Sequence, residues 1–430
     1  MYEISELENG LKVATCKLPN TRSVAVGLWV RTGGRYEPKK LNGISHFFEH
    51  IVFKGSKKRS YRQIKESIEG VGGMLNGFTS EEVTCFLAKV LEKHLALALD
   101  VLIDMLLNPL IRQSDIDKER LVIFEEIKMY FDLPHHLAYD NFQKMLWPRH
   151  ALGRNLAGEV QTLNKINNQQ LIRYKQKFYD LNNMLVCVSG NIEHADLLKI
   201  LKGIFKSNLS NINPGYKNNG FAPVIITQEA PCVSLINKHT QQSHIVLGAH
   251  APKREHPLRY ALMILHIILG ANMSSRLFNE LREKRGYAYE IATSIKGFDD
   301  TGAFIVHAGV VNEKLVNACA LVLKELKKTC NTPVGGRELA RAKDYFSGQM
   351  LMSLDDTLDR MVWIGEKLIN KRKVLHPDEI IKCIEAVTPD DLMRVANLIF
   401  KKGLFNLSVV GPVDENENRK LVQLLKGFKT

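Results

Sequence analysis

Along residues 11–31 apolar and polar positions alternate, with Val24, Val26, Leu28 and Val30 on one side, the period of a half-buried strand. Two strands joined as a hairpin are expected there. From residue 43 to residue 53 the spacing becomes helical, with Asn42 placed as N-cap and Gly55 placed to stop the turn. A second helix is predicted over 61–69, followed by a glycine-rich turn at Gly70, Gly72 and Gly73 and a strand-like run over 78–90. Longer amphipathic segments follow at 91–107 and 114–130, and a strand at 184–190 runs into Ser189-Gly190-Asn191. Strands and helices mix without strict βαβ alternation, which makes α+β the expected class.

Between 207 and 228 the composition shifts to Asn, Ser, Gly and Pro, as in Asn213-Pro214-Gly215 and Asn218-Asn219-Gly220, the signature of a linker. The expected organisation is a first domain over 1–208, a linker over 209–228 and a second domain over 229–430. Beyond the linker the order recurs: a strand at 243–249, a long helical region over 257–283, strands at 288–295 and 303–310, more helix, and a closing strand at 404–411. Val188-Ser189-Gly190-Asn191 and Val409-Val410-Gly411-Pro412 close their halves alike, pointing to a duplicated unit of about 200 residues.

At 430 residues the chain fits two ordinary cores. Lys and Arg total 59 against 46 Asp and Glu, a formal +13, which brings nucleic acid and anionic membrane into consideration. The basic residues are scattered in short clusters such as Lys57-Lys58-Arg59, without a nucleic-acid signature, and read as solvated faces. Neither a nucleic-acid partner nor membrane insertion is expected; the apolar run 261–269 is interrupted by His266 and is far too short to span a bilayer. Seven widely spaced cysteines with no CxxC pair indicate reduced thiols. With no apolar leader and no Arg-rich presequence at Met1-Tyr2-Glu3, a cytoplasmic location is expected.

The sharpest chemical signal is His46-Phe47-Phe48-Glu49-His50 on the first predicted helix. Residues four apart share a helical face, so both imidazoles can meet one ion while Glu49 stands beside them. Zinc on three protein ligands keeps an open position for water and needs a carboxylate to take the proton; Glu49 is placed to be that base. The third ligand must come from elsewhere. Glu119 and Glu126, seven apart on the helix predicted over 114–130, lie two turns along one face, and spacing alone lets either reach the site or merely solvate the helix. His135-His136, after Pro134 in an expected loop, and His150 read as structural or surface histidines. Walker, dinucleotide-binding and nucleophile-elbow patterns are absent from the sequence.

Together, His46-x-x-Glu49-His50, the stretch Asn76-Gly77-Phe78-Thr79-Ser80-Glu81-Glu82-Val83-Thr84, Glu119-Arg120 with Glu125-Glu126, and Leu281-Arg282-Glu283-Lys284-Arg285-Gly286-Tyr287-Ala288-Tyr289 resemble the pitrilysin/insulinase (M16) family, in its mitochondrial-processing-peptidase-like branch. The resemblance spans nearly the whole chain. It implies two related domains, each a mainly antiparallel sheet packed with helices, closing as a hinged clamshell (the LuxS/MPP-like metallohydrolase fold). It implies one Zn2+ per chain on His46, His50 and Glu126, with Glu119 supporting the site and Arg282 and Tyr289 serving the oxyanion of a cleaved peptide bond. It also implies that Asn76, Gly77, Phe78 and Thr79 belong to a strand that binds extended or unfolded peptide substrates, and that the protein is a homodimer, since one chain holds both halves of the machinery. Gly77 stands where the family usually has Ala, and Gly270-Ala271-Asn272 where it usually has a Gly-rich run. The alternative, a non-catalytic assembly or chaperone-type relative, would be expected to lose zinc ligands, and none is missing here.

Overall fold

A computed structural model describes residues 2–206 and 220–428. The expected linker falls outside the described residues through position 219, and residues 220–228 carry neither helix nor strand. The chain forms two compact units, one of Met1–Ile127, Arg154–Ala222 and Leu351–His376, the other of Lys128–Gly153, Pro223–Met350 and Pro377–Thr430. Neither unit is continuous in sequence.

The first unit is built on a six-stranded sheet of β1 (Glu3–Glu6), β2 (Lys12–Lys17), β3 (Ser23–Val30), β4 (Met74–Thr79), β5 (Thr84–Leu91) and β6 (Met184–Gly190), in the order β1-β2-β6-β3-β5-β4. The hairpin expected over 11–31 does not form. β6 lies between β2 and β3, parallel to the first and antiparallel to the second. All seven residues of β6 are buried, so it takes the sheet centre, and the connection from Leu18 to Arg22 lacks the two-residue turn that would force direct pairing. The strand-like run 78–90 is likewise broken, at Ser80–Val83, into β4 and β5.

One face of this sheet is covered by α1 (Ile44–Val52), α2 (Tyr61–Glu69) and α3 (Leu95–Leu107), with α4 (Gln113–Asp132) adding Ile116, Ile123 and Ile127 to the same core. α2 begins on a full capping box, Ser60 with Gln63. α3, read as amphipathic, is buried along nearly its whole length. The other face packs Trp29, Cys85, Leu185 and Cys187 against Met361 and Ile364 of the helix Thr357–Ile369, which comes from far along the chain.

The second unit carries β7 (Cys232–Asn237), β8 (Ser243–Ala251), β9 (Ala288–Gly297), β10 (Gly302–Val310) and β11 (Asn406–Gly411) in the order β7-β11-β8-β10-β9. Here too the last strand enters between the first two, parallel to one and antiparallel to the other. Strand for strand this repeats β2-β6-β3-β5-β4, which realises the expected duplication. One face packs Phe142, Leu146 and Trp147, from α5 (Pro134–Leu146) and its C-cap, onto Val246, Ile305 and Val410. Each sheet is thus covered in part by a helix drawn from the opposite half of the sequence. Among the described residues no helix is long and apolar enough to cross a membrane.

Candidate metal centre

α1 starts at Gly43, whose φ of 93° is left-handed and where a Cβ would sit 2.7 Å from the Ala157 carbonyl oxygen; only glycine fits. No side chain at the N-cap itself caps the helix, and Asn42 is not the cap the sequence leads one to expect. The capping passes instead to Glu37, whose carboxylate accepts the Gly43 and Ser45 backbone N–H groups at 2.8 Å each and the Asn42 amide at 3.1 Å. Glu37 is buried, and burial raises its pKa against these hydrogen bonds. Its negative end faces the helix N-terminus, where the unpaired N–H groups and the dipole favour it. At the other end α1 closes at Phe53, ahead of Gly55.

The helical spacing brings His46 and His50 to one side, ring centroids 4.7 Å apart. Glu126, from α4, places Oε2 3.8 Å from His46 Nε2 and 3.7 Å from His50 Nε2. One ligand atom from each of the three lies within 4.8 Å of the others, and among the described residues no other group of His, Cys, Asp or Glu does this. Tetrahedral zinc with bonds of about 2.0–2.1 Å holds its ligand atoms roughly 3.3 Å apart, so this donor set fits zinc once the side chains draw inward, the Glu126 separations by about half an ångström. Burial, reinforced by His50, pushes His46 down to about 4, which leaves its imidazole neutral and able to coordinate.

Glu119 takes a different place from Glu126. Its Oε2 lies 3.1 Å from His50 Nδ1 and its Oε1 2.5 Å from Lys54 Nζ. Burial would raise this carboxyl, but the bonds from His50 and Lys54 outweigh it and hold the pKa low. An ionised Glu119 offers an acceptor for an N–H at His50 Nδ1, while Nε2 of the same ring faces Glu126. Glu49 accepts a hydrogen bond from Thr79 Oγ1 at 2.5 Å. Burial is the main cause of its raised pKa, partly opposed by Thr79 and by His50, a direction suited to a proton acceptor.

Among the described residues β4 is the outermost strand of its sheet and pairs with β5 alone. Thr79 turns toward Glu49, and Gly77 lies under the Phe53 and Phe86 rings, where a Cβ would meet carbons at 3.3 Å. Phe78 points to the opposite face and meets Trp29 edge-on at 5.6 Å. The four residues expected on the substrate strand therefore divide between two faces, with Thr79 the one brought to the His46 cluster.

Arg282 and Tyr289 belong to the second unit. The helical region expected over 257–283 is interrupted: the helix Arg259–Gly270 ends, and a six-residue π-helix, Phe278–Glu283, carries Arg282. A Cβ at Gly270 would lie 2.6 Å from Thr293 Cγ2, so the break is packed against β9. The Arg282 guanidinium lies 4.8 Å from the ring centres of both Phe278 and Tyr289, and the Tyr289 side chain is 71% exposed. Sequence reasoning missed Glu37, which has no recognisable spacing relative to the histidines, and Lys54, which continues the four-residue spacing of His46 and His50 and could have been found from it.

Residues 12–160 match the family model of the insulinases (peptidase family M16), and residues 165–346 match that of the M16 inactive domain. An uncharacterized zinc protease of Streptomyces coelicolor is 35% identical over 96% of this chain and 90% of its own length. The chain belongs to peptidase family M16. Another uncharacterized zinc protease, YmxG of Bacillus subtilis, is 33% identical over 94% of this chain and 97% of its own. Among solved structures, a protease from Helicobacter pylori superposes with a TM-score of 0.89 at 22% identity, covering 96% of this chain and 99% of that one. The M16 inactive domain protein from Pseudomonas fluorescens gives 0.88 at 16%, covering 96% and 98%. These likenesses carry the two-domain M16 fold. The M16 relatives named zinc proteases agree with the donor set on α1 and α4.

Proposed function

We propose that this M16 chain is a zinc-dependent endopeptidase that cleaves extended or unfolded peptide segments, with His46, His50 and Glu126 as metal ligands and Glu49 as general base. The convergence of two imidazoles and a carboxylate, with a second, half-buried carboxylate beside them whose pKa is raised mainly by burial, is the observation that carries the reading. A zinc ion held by His46, His50 and Glu126 would supply an open position for water, a lowered pKa for that water and polarisation of the scissile carbonyl. Glu49 takes the proton of the attacking water and returns it to the leaving amine, its carboxylate aimed by Thr79. Glu119 and Lys54 keep His50 in the tautomer that binds metal. β4, at the edge of its sheet among the described residues, offers backbone groups to a peptide strand irrespective of its side chains, which favours flexible substrates. Arg282 and Tyr289 are assigned to the developing oxyanion, on the strength of their register with the family motif and the exposure of Tyr289.

The test is metal content together with hydrolysis of an unstructured, internally quenched peptide. Wild type is expected to hold about one zinc per chain, and His50→Ala to lose it. Glu49→Gln keeps the zinc and loses about 10²- to 10⁴-fold in kcat/KM. Absence of zinc from wild type, or hydrolysis that survives chelator, would sink the reading and leave the non-catalytic alternative.

A further inference from the structure

His135 and His136, expected in a loop, instead occupy the first turn of α5, where Pro134 opens the helix. They overhang part of the second sheet. On β8, β10 and β9 the residues His244, Gly309 and Glu290 stand in one row across the strands, since Gly309 pairs with both of the others. His307, two positions along β10 from Gly309, shares that face. Gly309 contributes no side chain, and the Gln242 amide oxygen stands over it, 2.6 Å from where a Cβ would be, with His244 Cε1 at 3.7 Å. Together His135, His136, Tyr139, His244, Glu290 and His307 line a cavity of about 430 Å³ that lies wholly within the second unit.

The imidazoles and the carboxylate that line this cavity make no polar bond among the described residues, to one another or to their neighbours. Among the described residues no hydrogen bond or ion pair engages a ring nitrogen of His135, His136, His244 or His307, or the Glu290 carboxylate. The His135 ring centroid lies 6.0 Å from that of His244 and 4.5 Å from that of His136. His135 and Glu290 both act electrostatically on His244 and on His307, in opposite directions, while burial is the main cause that keeps both rings below the ordinary imidazole range. A structural role would give such histidines partners, as His194 has in Ser5 and Thr15. Unpartnered imidazoles and one carboxylate converging from a helix and three strands form a donor set for a divalent first-row transition ion.

We infer that the second unit holds a metal site of its own, in which His244, His307 and Glu290, with His135 from above, bind a divalent ion of the zinc and copper class. Their ligand atoms do not lie as close together as those of His46, His50 and Glu126, so binding draws the side chains inward by rotation about positions the strands already fix. The ion ties β8, β10 and β9 together beside Gly309. Glu290 directly follows Tyr289, so occupancy fixes the end of β9 from which Tyr289 projects.

The site is tested in the full-length chain carrying His46→Ala and His50→Ala, which makes the result independent of the proposed peptidase centre. Equilibrium dialysis with Co2+ near pH 7.5, read by metal analysis and by the cobalt absorption band, is expected to give one ion per chain and a rise in Tm. His244→Ala with His307→Ala in that background is expected to weaken binding at least about tenfold, the scale on which even supporting residues of a metal site act. The single exposed-residue change His135→Gln weakens it in the same direction without a burden on folding. No Co2+ bound in the background chain, or affinity and Tm response unchanged by both sets of substitutions, overturns the inference.

Discussion

Glu119 spends its two oxygens on two different residues, His50 and Lys54, so its removal frees the ring of His50 and strands the ammonium of Lys54. Glu119→Gln is expected to weaken zinc binding about 10- to 100-fold while the protein stays folded, as read by competition with a chromophoric chelator; unchanged affinity would refute the supporting role. Half-buried histidines away from this centre set a different response. Burial pushes His250 to about 4, and burial with His307 pushes His266 to about 4. Their folded-state pKa values lie below the unfolded value of about 6.5, so the stability they contribute is full above that pH and is lost as pH falls toward 4. Tm is expected to decline progressively below pH 6.5, and His250→Gln with His266→Gln to flatten that decline; an unaltered slope would show that other groups govern it. At this scale the sequence is legible where chemistry is local. His46 and His50 are four apart on one helix, and their meeting follows from helical geometry alone. Glu119 and Glu126 share a face of α4, and periodicity cannot tell which of them meets a metal-facing nitrogen and which meets Nδ1, because that depends on how α4 is set against α1.

α1 is held from outside its own sequence. Because the chain enters at a left-handed glycine, the first N–H groups of α1 have no local side-chain acceptor, and Glu37 reaches forward to take the Gly43 and Ser45 donors. Glu37→Ala orphans both donors in a buried setting and is expected to cost about 2–3 kcal/mol of stability, measured by denaturant unfolding. Glu37→Gln keeps one acceptor oxygen and should cost less. Equal losses in the two variants, or none, would mean that the cap is not what holds the helix. Sequence reading placed α1 and α2 well, since propensity, glycine stops and capping boxes are local signals, and it assigned the cap to Asn42 because adjacency is all that a sequence offers. The hairpin expected over 11–31 fails for a related reason. Alternation identifies β2 and β3 as strands but does not say which strand lies beside them, and the uniformly apolar β6, which arrives more than 150 residues later, has the stronger claim on the centre of the sheet.

Each half of the chain depends on a helix encoded in the other. The helix Thr357–Ile369 packs onto β3 and β6 of the first unit, covering Trp29, Cys85 and Cys187, each of which is 0% exposed. Its closest approach is at Gly365, where a Cβ would lie 2.2 Å from the indole Nε1 of Trp29, and at Gly27, where a Cβ would lie 2.4 Å from Met361 Sδ. These two glycines let helix and sheet touch, a relation that amphipathic periodicity cannot convey, because it gives a helix an apolar face without naming its partner. A fragment of residues 1–222 retains every strand of the first sheet but lacks this helix. It is expected to expose a continuous apolar face, bind hydrophobic dyes and aggregate, and to recover a cooperative melt when residues 223–430 are supplied as a second chain. In the intact protein Gly365→Val drives a branched side chain into Trp29 and should cost about 1–3 kcal/mol, with blue-shifted tryptophan emission lost. If the fragment alone is monomeric with a sharp unfolding transition, and Gly365→Val leaves Tm untouched, the first unit stands without its borrowed helix, and the interleaving of the two halves contributes connectivity but not stability.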